Sequence, residues 1–258
     1  MHDLTTRMND AATDRPTVFA FAISHYCERA IWGLKAHGIA HRVRNLAPGA
    51  HVLQARRAGA SETSVPLVIG RQGELVQGSD RILDWAQEQS PIAGPDWRLD
   101  DTARALEAEL ETAIGPTLRR MYYADALREQ PGDVRQAFQT GMTLADRAAL
   151  NVAWPGLRQA MKRGFALDRN GFVAHRLRME RALDMLDARL AKGEGYLTGD
   201  RFGRIDLTVA SLLAPMVQPA QHPVYAKLAL PSRLAKAVAG WRDRPVMGWV
   251  REVYARHR

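Results

Sequence analysis

The chain has 258 residues, 46% of them hydrophobic and 25% charged, the make-up of an ordinary globular protein with room for one large domain or two modest ones. Its one cysteine, Cys27, excludes an intramolecular disulfide, and no apolar run approaches the ~18 residues that span a bilayer, so no membrane association is expected. The formal charge of +8 is dispersed: residues 1–90 hold 10 Lys/Arg against 9 Asp/Glu, and the rest hold 26 against 19 along helices that also carry acids. That pattern reads as solvated helix faces and argues against a nucleic-acid surface, which concentrates Lys and Arg on one face.

Met1 to Arg15 is polar and mixed in charge; it is no secretory signal and is expected to be a disordered tail. With the single cysteine, this suggests a reducing compartment, the cytoplasm. Val18 to Ile23 is a short apolar run suited to one buried strand. From Cys27 the period changes. Cys27, Ala30, Ile31 and Leu34 share one helical face, Glu28, Arg29 and Lys35 are expected on the other, and Gly38 ends the helix. A buried strand therefore runs through Ser24-His25-Tyr26 into a helix N-terminus. The free N–H groups and dipole of that terminus favour an anion, including a thiolate.

His41 to Leu46 predicts a second strand, and Ala50 to Ala58 a short helix. Val65 to Ile69 reads as a strand with Pro66 near its start, where the missing N–H is tolerated. Glu74 to Val76 is a return strand. Ser79 is a fitting N-cap for a helix carrying Ile82, Leu83, Trp85 and Ala86. The order is β-α-β-α-β-β-α, complete by Gln89, and Ser90 to Pro95 is a linker. Beyond it the strand signals nearly vanish. A long helix starts near Leu99, with a kink or division expected at Gly115-Pro116. A second helical region covers 133–161 with a break at 154–156, and a third covers 179–190. Asp206 to Met216 is a buried helix, and 232–241 and 245–254 close the chain. The fold class is α/β plus all-α: a small domain at 16–90, then an all-helical one at 97–258.

Three features in order carry a resemblance: a strand ending in Ser24-His25-Tyr26-Cys27 and opening a helix, a Val65-Pro66 pair beginning a later strand, and Ser79 at the start of the last helix of the first domain. With the helical second domain, they resemble the cytosolic glutathione transferase family, whose first domain has the thioredoxin fold. The resemblance implies glutathione as co-substrate, a small electrophile as second substrate, and a homodimer active in detoxification.

Residue by residue, the resemblance puts Ser24 where redox relatives have a nucleophilic cysteine. A serine there forms no mixed disulfide, but its O–H can favour the cofactor's thiolate over its thiol. Alternatively it only ends the strand. Tyr26 supplies that hydroxyl if Ser24 points away, and His25 lines the site. Val65 resembles the residue before a cis-proline, Pro66, whose backbone pairs with the cysteinyl part of glutathione. Ser79 suits the γ-glutamyl carboxylate, or is a plain cap. The residue before it is Gly78, where relatives carry an acid or glutamine; Gln77 or Asp80 is a substitute out of phase. Cys27 lies on the apolar face, so a buried structural cysteine competes with a redox role. Arg119 and Tyr122 are candidates for the second-substrate pocket, against core packing and solvent. The region 137–172 is a candidate cover for that pocket. His25, His37 and His41 form no metal constellation. Gly203 to Asp206 reads as an N-terminal helix box.

Two other functions stay open on the residues: thiol-disulfide or peroxide chemistry at Cys27, and a non-catalytic binding protein that keeps the fold as a scaffold.

Overall fold

The computed structural model describes residues 15–92 and 97–258; the expected tail up to residue 14 and residues 93–95 of the expected linker lie outside the described residues. Strands β1 (Thr17–Ala20), β2 (Arg42–Asn45), β3 (Leu67–Ile69) and β4 (Leu75–Gln77) form one mixed sheet in the order β2-β1-β3-β4. β1 and β2 run parallel, with Val18 opposite Val43, because helix α1 (His25–Ala36) carries the chain back between them. β3 lies antiparallel to β1 and β4, with Val68 opposite both Val18 and Val76. Helices α2 (Ala50–Arg57) and α3 (Ser79–Gln89) complete this thioredoxin-like domain in the expected order. The edge strand β2, Arg-Val-Arg-Asn, is mostly exposed, and its arginines blunt an edge open to further pairing.

Two local expectations need correction here. Val65 and Pro66 precede β3 and take no part in its ladder. Ser79 is the first helical residue of α3 and not its cap; Gly78 takes the cap position with φ 97°, a left-handed conformation that favours glycine.

The second part is all-helical: α4 (Asp101–Glu129), α5 (Pro131–Gln139), α6 (Leu144–Phe165), α7 (Arg169–Leu190), α8 (Arg204–Val217), α9 (Ser232–Trp241) and α10 (Pro245–His257). α8 is buried at every position, with α1, α4 and α10 packed around it. A helix apolar on all sides belongs at a core centre. The Gly203–Asp206 box forms, with Gly203 N–H donating to Asp206 Oδ2 at 2.8 Å.

The expected division of α4 at Gly115-Pro116 does not occur. A prolyl residue inside a helix costs about 3 kcal/mol, but Ile114, Thr117 and Leu118 around it are buried, and packing against α6, α7 and α8 outweighs that cost. Gly115 serves the neighbouring domain: a Cβ there would sit 2.1 Å from the Tyr26 hydroxyl, so the glycine leaves room for that ring. The break expected at 154–156 falls instead at 140–143, where Thr143 caps α6 by accepting from Asp146 N–H at 3.1 Å. Pro155 lies inside α6, which buried Trp154 and Leu150 hold against its neighbours.

The largest correction concerns α1. Cys27, Ala30 and Leu34 do pack on the sheet and on α3, in one cluster with Val18, Val68 and Ile82. Glu28 and Arg29 lie on the other side of the helix, as expected, but are buried there at 3% and 0% exposure. Their side chains face the helical domain, and each is met there by opposite charge. Arg29 pairs with Glu107 (2.8 Å) and Glu111 (2.6 Å) of α4, and Glu28 takes Arg258 (2.7 Å) and His222 (3.3 Å). Arg204 of α8 extends the network to Glu107 at 2.9 Å and to Asp84 of α3. Buried charge is tolerated only when paired in this way.

Candidate active site

The strand-to-helix junction is built as the pattern predicts. Ser24 (φ −89°, ψ 120°) is the N-cap of α1, and its Oγ accepts from Cys27 N–H at 3.3 Å. The same hydroxyl reaches the Cys27 thiol and borders an open cavity, where a ligand sulfur can compete for its proton. The helical domain pins the segment from behind: Tyr225 donates to the carbonyl of Ile23 at 3.2 Å, and its ring stacks on His222 at 3.8 Å.

Two adjoining cavities open at this junction. The larger, about 710 Å³, is lined by Ser24, His25, Tyr26, Val65, Arg119 and Tyr122 among others. The smaller, about 350 Å³, is lined by Tyr26, Val65, Pro66, Gly78, Ser79, Asp80, Glu111 and Arg119. Tyr26, Val65 and Arg119 belong to both. The predicted residues are thus brought together in one continuous site, with one exception. Cys27 is buried, lines neither cavity and accepts from Phe21 N–H through its sulfur at 3.4 Å. Burial pushes its thiol up to about 11, against the opposing hydrogen bonds from Ser24 and Phe21.

The smaller cavity is polar. Its lining includes the carboxylates of Asp80 and Glu111 and the cations of Arg81 and Arg119, and the first turn of α3 offers N–H groups that have no helical acceptor. Ser79 is held from below by Arg29 Nη1, which donates to its Oγ at 3.3 Å. Gln77 also lines this cavity, but its amide is engaged elsewhere. Its amide donates to the carbonyls of Glu62 and Ser64, at 2.9 Å each, and fixes the loop before Val65. The Val65–Pro66 bond is cis.

The larger cavity has an aromatic wall. Phe21 meets Phe138 edge-on at 5.4 Å, Tyr123 lies 6.3 Å from Phe138 and 5.0 Å from Phe165, and the Arg119 guanidinium stands 5.9 Å over Phe165. Phe138, Met161 and Phe165 come from the 137–172 region, so α5 and α6 form part of the wall. Burial, with Arg119 nearby, lowers His25 to about 3, so its ring is neutral and does not act as a base at neutral pH. Burial and Glu111 raise Tyr26 to about 12, against Arg119 and Arg29, which leaves its phenol a donor. Phe21, Tyr123, Phe138, Phe165 and Glu111 were not singled out in the sequence. They are scattered over more than 140 positions; Phe21, at the end of the β1 run, and Tyr123, beside Tyr122, sat next to features the sequence offered. Among the described residues, no group of three or more His, Cys, Asp or Glu could hold a metal ion, and no helix is long and apolar enough to cross a membrane.

No curated protein matches the chain. Among solved structures, a glutathione transferase from Phanerochaete chrysosporium is similar with a TM-score of 0.62 at 12% identity, over 95% of this chain and 98% of that one. A glutathione S-transferase of Ceriporiopsis subvermispora in complex with glutathione follows with a TM-score of 0.58 at 13% identity, covering 95% and 98%. A beta-etherase from Sphingobium sp. strain SYK-6 is similar with a TM-score of 0.54 at 13% identity, covering 92% and 98%. These likenesses concern the fold. Residues 18–95 match the N-terminal domain of glutathione S-transferase. The chain therefore carries a glutathione S-transferase N-terminal domain at residues 18–95 and, along its length, the fold that these structures share.

Proposed function

We propose that this chain is a glutathione transferase in which Ser24 holds the tripeptide's sulfur as a thiolate for attack on a small electrophile. The observation that carries the reading is the Ser24 hydroxyl. It caps α1 through its oxygen and lines the same cavity as Val65, where its proton can turn from Cys27 to a ligand sulfur. A free thiol titrates near ~8.5 and is mostly protonated at neutral pH. Donation from Ser24 and the positive end of α1 both favour the thiolate. Tyr26, a protonated phenol shared by the two cavities, is a second donor.

Val65 and Pro66 hold the cysteinyl part by main-chain pairing, like an added strand. Ser79 and the first turn of α3 take the γ-glutamyl carboxylate. The ammonium beside it falls to Asp80 and Glu111, acids that supply what Gly78 lacks. In the step itself the thiol proton leaves to solvent and a C–S bond forms. The displaced electron pair departs with the leaving group or enters a conjugated acceptor. A disulfide or peroxide enzyme using Cys27 is disfavoured, because a buried thiol near 11 is almost never ionised.

Calorimetric titration of glutathione tests the site. Saturable binding that weakens in Ser79→Ala, with turnover lost in Ser24→Ala at retained fold, is the expected result. No binding at millimolar glutathione would return the chain to the scaffold reading. We expect a cytoplasmic homodimer; sedimentation at the mass of one chain contradicts the dimer.

A further inference from the structure

We infer that the second substrate is an aromatic carboxylate, its ring seated on the wall of Phe21, Phe138 and Phe165 and its acid group on Arg119. The inference rests on the transferase reading above and names the substrate class of that same site.

Three observations carry it. The first is shape: the larger cavity has a run of rings spaced for stacking and edge contacts, drawn from β1's end, α4, α5 and α6. The second is charge. Arg119, exposed on the lining, stands over Phe165, and among the described residues no carboxylate pairs with it. The other charged group on this lining, Glu62, accepts from the Ser64 hydroxyl at 3.1 Å within its own exposed loop. The third is a pair of buried polar atoms without partners, His25 Nε2 and the Tyr122 hydroxyl, on residues only 4% exposed that line the same cavity. A buried donor left unmade is costly, and a ligand oxygen relieves it. Burial keeps the Tyr122 phenol protonated and the His25 ring neutral, so these two suit an uncharged ring or carbonyl oxygen and leave the anion to Arg119. A purely apolar electrophile would strand all three groups.

The test uses the full chain saturated with glutathione and two probes, coumarin-3-carboxylate and its ethyl ester, followed by fluorescence. The acid should bind about tenfold more tightly than the ester, the worth of one charge-assisted contact. Arg119→Met should abolish that preference while ester affinity holds. Tyr122→Phe should weaken both probes by about fivefold, the worth of one neutral hydrogen bond. Equal affinity for acid and ester, a preference that survives Arg119→Met, or no binding of either probe would overturn the inference. Glutathione titrated into each variant keeps the two readings apart. Intact glutathione binding with no acid preference sinks only the substrate class, whereas absent glutathione binding sinks the transferase reading.

Discussion

The two long sides of helix α1 are both buried, and by opposite means. The side toward the sheet is small and apolar, with Cys27, Ala30 and Leu34 fitted against Val18 and Val68. The side toward the helical domain holds Glu28 and Arg29, Arg29 closed off by Glu107 and Glu111, and Glu28 by Arg258 and the His222 ring. An apolar side is forgiving: losing one methyl leaves a small void. A charged side buried in this way is not, because removing one partner strands the others in a medium that cannot solvate them.

Arg29→Ala should therefore cost most. It leaves Glu107 and Glu111 short of a cation and Ser79 without its donor. We expect a loss of about 3–5 kcal/mol by urea unfolding, with glutathione affinity falling as well. A loss under 1 kcal/mol would mean the charged side is as forgiving as the apolar one.

Glu28→Gln comes next, and its signature is in pH. Burial pushes the Glu28 carboxyl up, but His222 and Arg258 outweigh it and hold it at about 2, against an ordinary 4.5. A depressed carboxyl stabilises the fold fully above 4.5 and loses that contribution as pH falls toward 2. The stake is on the order of 3 kcal/mol. Denaturation followed from pH 6 to pH 2 should show a steeper acid limb in the wild type than in Glu28→Gln; parallel limbs would remove Glu28 from the account.

Gly115→Ala sharpens the contrast from the facing helix. Alanine gains about 1 kcal/mol of helix propensity, while the Cβ collides with the Tyr26 hydroxyl at an overpacking cost of about 1–3 kcal/mol. Net destabilisation of about 1 kcal/mol is expected, with Tyr26→Phe restoring part of it. Stabilisation would show that Tyr26 moves away freely.

On the apolar side, Cys27→Ser should be mildest, within about 1 kcal/mol and without effect on the conjugation rate. Native protein should also resist thiol labelling until unfolded, since burial raises the Cys27 thiol to about 11. Rapid native labelling would contradict its placement.

The same contrast explains what was legible in the sequence. The strand–helix order, Ser24 at its junction and the buried α8 follow from local periodicity and capping, which need only neighbours along the chain. The burial of Glu28 and Arg29 was not legible, because periodicity separates charged from apolar positions but says nothing of what covers the charged ones. Their partners, Glu107, Glu111, His222 and Arg258, lie 78 to 230 positions away. Gly115-Pro116 read as a break because its reason, the Tyr26 ring, belongs to the other domain. The aromatic wall was hidden for the same cause: its rings share no element, only a cavity.

That wall has a thermodynamic corollary. Phe21 belongs to the sheet domain and Phe138 and Phe165 to the helical one, so a molecule seated between them recognises the docked pair and has no comparable site on either part alone. Mass action then couples occupancy to cohesion: at a hundredfold excess over its Kd, such a molecule adds about 2.7 kcal/mol against separation. Melting temperature becomes a ligand detector that needs no knowledge of the reaction, and compounds that span the seam should raise it more than compounds confined to the smaller, polar cavity.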